Sequence, residues 1–194
     1  MKKKGLDFTK KRKKKNHKRV IGEILSWCFW VFIGVFTAAV LLYVFGLRTN
    51  VIGNSMETSL YSGQEILIDR LIFEISEPEY GDVVAFVPNG NEKSHYYVRR
   101  VIAVPGQTIQ IKNGYVYIDG EKFEDKGDYD KIADPGIAEN PIYLDDEEYF
   151  VMGDNRNFSE DSRSGNIGIV KKSYIIGKVW FRLSHNLEEL GFLK

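Results

Sequence analysis

One uninterrupted apolar stretch dominates the hydrophobic pattern of the chain. Residues 24–47 hold 24 amino acids without a charge, between Glu23 and Arg48. At a rise of about 1.5 Å per residue, such a helix is ~36 Å long, enough to cross the ~30 Å hydrocarbon core of a bilayer. The residues that follow do not resemble the small-residue cleavage site of a secretory leader. The stretch therefore predicts one retained transmembrane helix.

Beyond residue 47, the chain has short runs rich in β-branched and aromatic residues, separated by Gly, Asn and Asp, a pattern typical of β-strands. Asn113-Gly114 and Asp119-Gly120 favour two-residue hairpins. No long amphipathic helix is predicted there. We expect an all-β domain of antiparallel sheets over residues 48–194, long enough for a core of its own. The predicted strands are 65–69, 82–87, 96–104, 108–112, 115–118, 149–152 and 174–183.

Residues 121–148 interrupt this strand pattern. They hold eleven acidic residues, three lysines and little periodicity. A calcium site is one interpretation, but the ligand spacing of an EF-hand loop is absent. A solvated acidic insertion is the interpretation that the composition favours.

Charge is distributed unevenly, although the formal net charge is zero. Residues 1–19 carry a net charge of +10, and the rest of the chain a net charge of −10. Residues 1–23 lack apolar periodicity, so we expect a disordered basic tail. A basic tail can bind nucleic acid, but one placed before a membrane helix favours a cytoplasmic N-terminus and contact with anionic lipid of the bilayer. We predict a single-pass protein of the cell membrane with an extracytoplasmic β domain and no nucleic-acid partner.

The residues from 48 onward contain no cysteine, because the only one, Cys28, lies in the apolar stretch. A disulfide framework is therefore not expected in the β domain. Ser55 follows the apolar stretch by only eight residues, where a nucleophile would face chains emerging from the same bilayer. The histidines form no Ser-His-Asp arrangement with it. The remaining possibility for an activated serine is a Ser-Lys type, in which a buried neutral lysine is the base.

Four segments resemble the sequence boxes of bacterial type I signal peptidases. The most specific is GDNRNFSEDSRSG, which is similar to the family's GDNR-x-x-S-x-DSR-x-x-G box. GNSMETSL resembles the nucleophile box S-M-x-P-T-L, GDVVAF resembles a GD-[IV]-V-x-F strand, and YVRRVIAVPG resembles a Y-[IV]-KR segment that ends in Pro-Gly. The boxes occur in the family's order behind an apolar helix. They occupy residues 53–60, 81–86, 97–106 and 153–165.

The resemblance implies a membrane-bound serine endopeptidase that removes signal peptides from exported preproteins, without metal or cofactor. Ser55 matches the nucleophile, and Arg99 occupies the position of the catalytic base. Residues that match the oxyanion hole or the pockets for A-x-A residues are Val51, Ile52, Gly53, Met56, Leu60, Tyr97 and Val98. Residues that match site-supporting positions are Arg100, Asp154, Ser159, Asp161 and Arg163.

The same resemblance implies three side-chain contacts. Arg100 should pair with Asp154, and Asp161 with Arg163. Ser159 should lie within hydrogen-bond reach of the side chain at position 99, because the family uses this hydroxyl to orient the base.

Departures from the family pattern bear on activity. The family's base is a lysine, but residue 99 is an arginine. Thr58-Ser59 replaces a Pro-Thr pair, and Gly53 stands where many members have a serine hydroxyl. A guanidinium does not give up its proton at neutral pH. The alternative function is therefore a catalytically impaired homologue that binds or escorts exported subunits, as in pilus assembly. The oligomeric state remains open.

Overall fold

A computed structural model describes residues 16–45, 47–91, 93–125, 127, 129–183 and 190–193. The chain divides into two compact units, one up to Leu41 and one from Leu42 onward. Among the described residues, the first unit holds helix α1 as far as Leu41. The second holds every strand among the described residues.

Helix α1 spans Asn16–Phe45, and its Arg19–Leu41 part is long and apolar enough to cross a membrane. The expectation of disorder is wrong for residues 16–23, which are helical, while residues 1–15 lie outside the described residues. Basic residues have high helix propensity, and the (i, i+4) pair of Arg19 and Glu23 supports this turn without apolar periodicity. The helix also ends earlier than predicted, because Leu47 already belongs to the first strand.

All the strand pairings described here are antiparallel. Each of the seven predicted strands is present with ends within one residue of the prediction. Besides α1, the helices among the described residues are α2 (Ile72–Ile75) and the 3-10 turns Pro88–Gly90, Gly136–Glu139 and Lys172–Tyr174. The strands are β1 (Leu47–Asn50), β2 (Glu65–Asp69), β3 (Val83–Phe86), β4 (Tyr97–Ala103), β5 (Thr108–Lys112), β6 (Tyr115–Ile118), β7 (Glu121–Lys122), β8 (Ile142–Tyr143), β9 (Glu148–Met152), β10 (Val170–Lys171), β11 (Ile175–Arg182) and β12 (Gly191–Phe192).

The strands form two sheets. The larger has the order β1-β2-β11-β3-β4-β9-β10, with β12 paired to β11, and the smaller has the order β7-β6-β5-β8. Asn113 and Gly114 both have positive φ in the turn between β5 and β6, as a type I′ hairpin requires. The Asp119-Gly120 turn between β6 and β7 has the same signs. Both predicted hairpins are therefore present.

The segment 121–148 is more than a solvated insertion, which corrects the prediction. It supplies β7 and β8 to the smaller sheet. It also buries Ile132, Ala138 and Leu144 in a core that includes Ile109 of β5. The three buried residues pack the segment onto the domain, but they are isolated in the sequence and form no periodic pattern that would predict this.

Candidate active site

Strand β4 positions the two arginines of the candidate site. It lies between β3 and β9, and everything from Val98 to Ala103 in it is buried. Arg99 is opposite Val84 of β3, and Arg100 is opposite Val83. Because successive residues of a strand point to opposite faces, the two guanidinium groups enter different surroundings.

Ser55 lies in the loop that joins β1 to β2. Reciprocal backbone hydrogen bonds between Val51 and the Gly63-Gln64 turn close the loop. Met56 and Leu60 anchor it, since both are fully buried in the core beneath it. The predicted role of these two side chains in lining the substrate groove is therefore corrected: they support the loop from below.

The GDNR segment holds the Ser55 loop from the other side. The Asn155 amide donates to the Ser55 carbonyl oxygen at 3.0 Å, and Asn155 Nδ2 donates to the Asn54 carbonyl oxygen at 3.1 Å. A Cβ at Gly153 would overlap both Ser159 Oγ and the Ser55 carbonyl oxygen. Glycine at this position therefore allows the two segments to approach each other closely. Sequence reasoning did not assign these contacts to Gly153 and Asn155, although both lie in the matched box.

Ser55 and Arg99 are in direct contact. Arg99 Nη1 donates a hydrogen bond of 2.7 Å to Ser55 Oγ, and the two residues are 5–6% exposed. Nη1 also donates to the Val98 carbonyl oxygen at 2.6 Å. Nε and Nη2 both donate to the Glu160 carbonyl oxygen, at 2.9 and 2.6 Å. The structure thus brings together the predicted nucleophile and the residue at the base position.

The charge at residue 99 decides what the contact can do. Burial lowers the pKa of Arg99 from its ordinary value, and the charges of Asp161, Tyr97 and Glu160 oppose this shift. A guanidinium remains protonated in proteins and has donors only. Ser55 Oγ therefore accepts the hydrogen bond, and Arg99 does not take up its proton.

Ser159 does not contact Arg99, which corrects the predicted hydrogen bond. Its hydroxyl is buried and has no hydrogen-bond partner among the described residues. The planar guanidinium is turned toward the Glu160 carbonyl oxygen instead, where two of its N–H groups are bound. The prediction assumed the shape of a lysine at this position.

Both predicted ion pairs are present. Arg100 binds Asp154 through Nε at 2.8 Å and through Nη2 at 2.6 Å. Burial lowers the pKa of Arg100, but the hydrogen bonds and charge of Asp154 outweigh burial and raise it above its ordinary value. Arg163 binds both carboxylate oxygens of Asp161, at 2.8 and 2.7 Å. The Gly153 amide donates to the same carboxylate at 3.0 Å.

A further ion pair, which the sequence did not predict, connects the acidic segment to the site. Arg156 of the GDNR box pairs with Asp125 and lies 3.9 Å from the centroid of the Tyr129 ring. The Tyr80 hydroxyl donates to the same Asp125 carboxylate at 2.7 Å. The sequence contained one signal for this pair, the arginine of the GDNR box. It did not identify the partner, because the segment holds eleven acidic residues.

A groove of about 280 Å³ opens at Ser55. Five of the seven predicted substrate-binding residues line it, since Met56 and Leu60 do not. His95, Phe158 and Glu160 were not predicted for this role. Among the described residues, no group of three or more His, Cys, Asp or Glu side chains could hold a metal ion. The lining consists of Val51, Ile52, Gly53, Asn54, Ser55, His95, Tyr96, Tyr97, Val98, Arg99, Phe158 and Glu160.

Comparison with known proteins agrees with the sequence boxes. Residues 24–184 match the family model described as signal peptidase, peptidase S26. Signal peptidase I P of Bacillus subtilis subsp. natto is 31% identical over 183 residues, which cover 88% of this chain and 91% of that protein. A signal peptidase I of Bacillus amyloliquefaciens is 32% identical over 185 residues, which cover 87% and 91%.

A crystal structure of a signal peptidase I from Enterococcus faecalis V583 is also similar. It is 24% identical, with a TM-score of 0.43, and the match covers 54% of this chain and 98% of that one. At that TM-score, the assignment rests on the sequence comparisons. The family model covers most of the chain, and this chain accordingly belongs to the peptidase S26 family of signal peptidases.

Proposed function

We propose that this chain is a membrane-anchored serine endopeptidase of signal peptidase I type whose groove binds signal peptides of exported preproteins, and whose cleavage step is impaired by Arg99. The hydrogen bond from Arg99 Nη1 to Ser55 Oγ carries the proposal. It supports the proposal because Ser55, the proposed nucleophile, faces a charged donor where the reaction needs a proton acceptor.

The chemistry requires a proton acceptor. When Ser55 Oγ attacks the carbonyl carbon of the scissile peptide, its proton must pass to a base and then to the leaving amine. Removing a proton from arginine at pH 7 costs about 7–9 kcal/mol at its reference pKa of roughly 12.5–13.8. Burial of Arg99 reduces this cost, since it lowers the pKa, but the retained guanidinium charge keeps it large. A cost of ~7 kcal/mol corresponds to a rate reduced by about 10⁵.

His95 is another group in the groove that could take the proton. It lines the groove with Ser55 and is exposed, and no hydrogen bond joins the two side chains. The variant His95→Ala tests whether it acts as the base.

A cleavage assay tests the function. The purified full-length chain in detergent is incubated with a preprotein whose signal peptide ends in Ala-x-Ala. We expect the preprotein to bind, slow cleavage after the second Ala, and loss of this cleavage in Ser55→Ala. His95→Ala should cleave as slowly as the wild type. Rapid wild-type cleavage that is lost in His95→Ala would identify the histidine as the base and contradict the impaired mechanism.

The topology is part of the same proposal. The charge of +10 on residues 1–19 supports a cytoplasmic N-terminus, with the β domain on the outer side of the cell membrane. Protease added to intact cells should then cut within residues 121–148 and spare an epitope at the N-terminus. Cleavage of the epitope with a protected β domain would reverse the orientation.

The alternative in which the chain escorts exported subunits requires the same groove and no cleavage. No contact among the described residues favours it over the weak peptidase. The absence of any Ser55-dependent cleavage, combined with retained preprotein binding, is the result that would select it.

A further inference from the structure

The guanidinium of Arg99 is a buried positive charge that has no ion-pair partner among the described residues. The charges of Asp161 and Glu160 act on it only from a distance. The Asp161 carboxylate is occupied by Arg163 and by the Gly153 amide. The Glu160 carboxylate accepts hydrogen bonds from Asn166 Nδ2 at 3.1 Å and from the Tyr97 hydroxyl at 3.4 Å. Buried charges in proteins are normally paired. An anion bound in the groove would therefore stabilise the unpaired charge of Arg99.

The hydrogen-bonding groups at this point are donors. Four of the five N–H groups of Arg99 are bound, to Glu160 O, Val98 O and Ser55 Oγ. The fifth, on Nη2, has no acceptor in the described part of the chain. The Ser55 hydroxyl proton has no acceptor there either, since Oγ accepts from Arg99, and neither does the Ser55 backbone amide. Three donors next to an unpaired cation form a site for an anion.

The groove limits which anion can reach this site. Its walls next to Ser55 are the small or apolar Gly53, Val51 and Val98, which leave room for a small side chain. The Tyr97 ring also contacts the guanidinium, with its centroid 5.2 Å from Arg99 Cζ. An extended peptide therefore enters with a short side chain beside Ser55 and its backbone directed at Arg99.

We propose that the Ser55 groove preferentially binds peptides that end in a small residue with a free α-carboxylate, and that Arg99 and Ser55 bind this carboxylate. The inference rests on the proposed function, because such a peptide is the amino-terminal product of cleavage after Ala-x-Ala. The site then binds cleaved ends more tightly than uncleaved chains.

The geometry of attack explains why the carboxylate reaches the arginine. A scissile carbonyl carbon must lie about 3–3.5 Å from Ser55 Oγ. The carboxylate carbon of the product occupies that same position, and Arg99 Nη1 is 2.7 Å from Oγ. One carboxylate oxygen then lies within reach of the guanidinium, whose planar fork suits a carboxylate. An uncleaved peptide presents only a neutral carbonyl at this point and gains less from the charge.

Two labelled peptides of identical sequence, both ending in Ala-Gln-Ala, test the inference. One has a free C-terminal carboxylate, and the other a C-terminal carboxamide. Binding to the full-length chain in detergent is measured by fluorescence anisotropy. We expect the free acid to bind at least ~10-fold more tightly, the factor that corresponds to one charged hydrogen bond.

Arg99→Met should make the two affinities equal, because it removes the charge and keeps an unbranched side chain. Arg70→Met is the matched control, since Arg70 is exposed and does not line the groove, and it should retain the preference. If Arg99→Met does not fold, Arg99→Lys replaces it, and its preference for the acid should fall as pH rises and the lysine loses its charge.

The outcomes separate the two proposals. Equal binding of acid and amide by the wild type would overturn the carboxylate inference and leave the groove function intact. A preference for the acid peptide that persists in Arg99→Met would have the same meaning. Displacement of the acid peptide by acetate, at the concentration of the peptide itself, would also overturn the carboxylate inference. Binding of neither peptide would overturn both proposals.

Discussion

Arg99 and Arg100 are consecutive residues of β4 and are buried to a similar degree, 5% and 7% exposed, but their partners differ. Arg100 forms a two-point ion pair with Asp154 and also donates to the Gly81 carbonyl oxygen at 2.8 Å. Arg99 binds two carbonyl oxygens and one hydroxyl. The carboxylate makes Arg100 part of the scaffold, whereas Arg99 keeps an unneutralised charge beside Ser55.

Because their partners differ, the two neighbouring arginines of β4 are expected to have different roles, one in stability and one in reactivity. A buried ion pair is costly to break, because the abandoned partner stays charged in a poorly solvated place. An arginine bound only to neutral acceptors leaves no such charge when it is removed. Position 100 should therefore govern folding, and position 99 should govern reactivity.

The largest stability effect is expected for Arg100→Met. It leaves the buried Asp154 carboxylate unpaired, so we expect a loss of about 3–5 kcal/mol in the free energy of unfolding. Arg99→Met should lose only about 1–3 kcal/mol, the cost of carbonyl groups without donors. Denaturant titration of the full-length chain in detergent, followed by tryptophan fluorescence, measures both.

Two controls sharpen that contrast. The double variant Arg100→Met/Asp154→Leu should recover part of the loss, because it leaves no charge behind. Lys172→Met breaks the exposed pair with Glu77 and should cost less than about 1 kcal/mol. Equal destabilisation by Arg99→Met and Arg100→Met would show that the two arginines share one structural role.

A smaller loss in the free energy of unfolding is expected when the ion pair between Asp125 of the acidic segment and Arg156 is broken. Asp125→Asn removes the charged partner of the buried Arg156, and we expect a loss of about 1.5–3 kcal/mol. Asp130→Asn, an exposed change in the same segment, is the matched control and should have no effect. An unchanged unfolding midpoint for Asp125→Asn would show that the segment is attached by its apolar residues alone.

The close contact between the two site segments gives an effect of similar or smaller size. Gly153→Ala places a methyl group against Ser159 Oγ and the Ser55 carbonyl oxygen, which should cost about 1–3 kcal/mol. It should also weaken peptide binding, because the Ser55 loop must shift. Gly165→Ala, where a Cβ meets no atom within 4 Å, is the control. Undiminished peptide binding by Gly153→Ala would contradict the close packing of these segments.

The smallest effect is expected at Gly53. Its φ of 79° lies in the left-handed region, so Gly53→Ser should cost about 1–2 kcal/mol even though a Cβ there has open space. The serine hydroxyl that many signal peptidases have at this position therefore requires a local backbone change in this chain. A variant as stable as the wild type would show that the loop adapts without cost.

The strands of the β domain were predictable because β-branched and aromatic residues occur in short runs and the hairpin turns contain Asn-Gly and Asp-Gly. The pairing of Asp125 with Arg156 was not, because nothing local distinguishes Asp125 from the other acidic residues of the segment. The helix over residues 16–23 was missed for a related reason, since exposed basic residues form helix without an apolar face. The contact of Ser159 was predicted wrongly, because motif matching carries over a lysine's geometry to a planar guanidinium.

The most direct test of the central claim compares kcat/KM for preprotein cleavage by the wild type and by Arg99→Lys over a range of pH. Lysine can lose its proton when buried, with a pKa lowered by up to ~3–5 units. The account predicts that Arg99→Lys is faster by roughly 10³-fold or more near neutral pH, that its rate rises with pH as the neutral amine forms, and that Ser55→Ala in this background abolishes cleavage. Equal rates for the two proteins, or wild-type cleavage that survives Arg99→Ala but not Ser55→Ala, would contradict it.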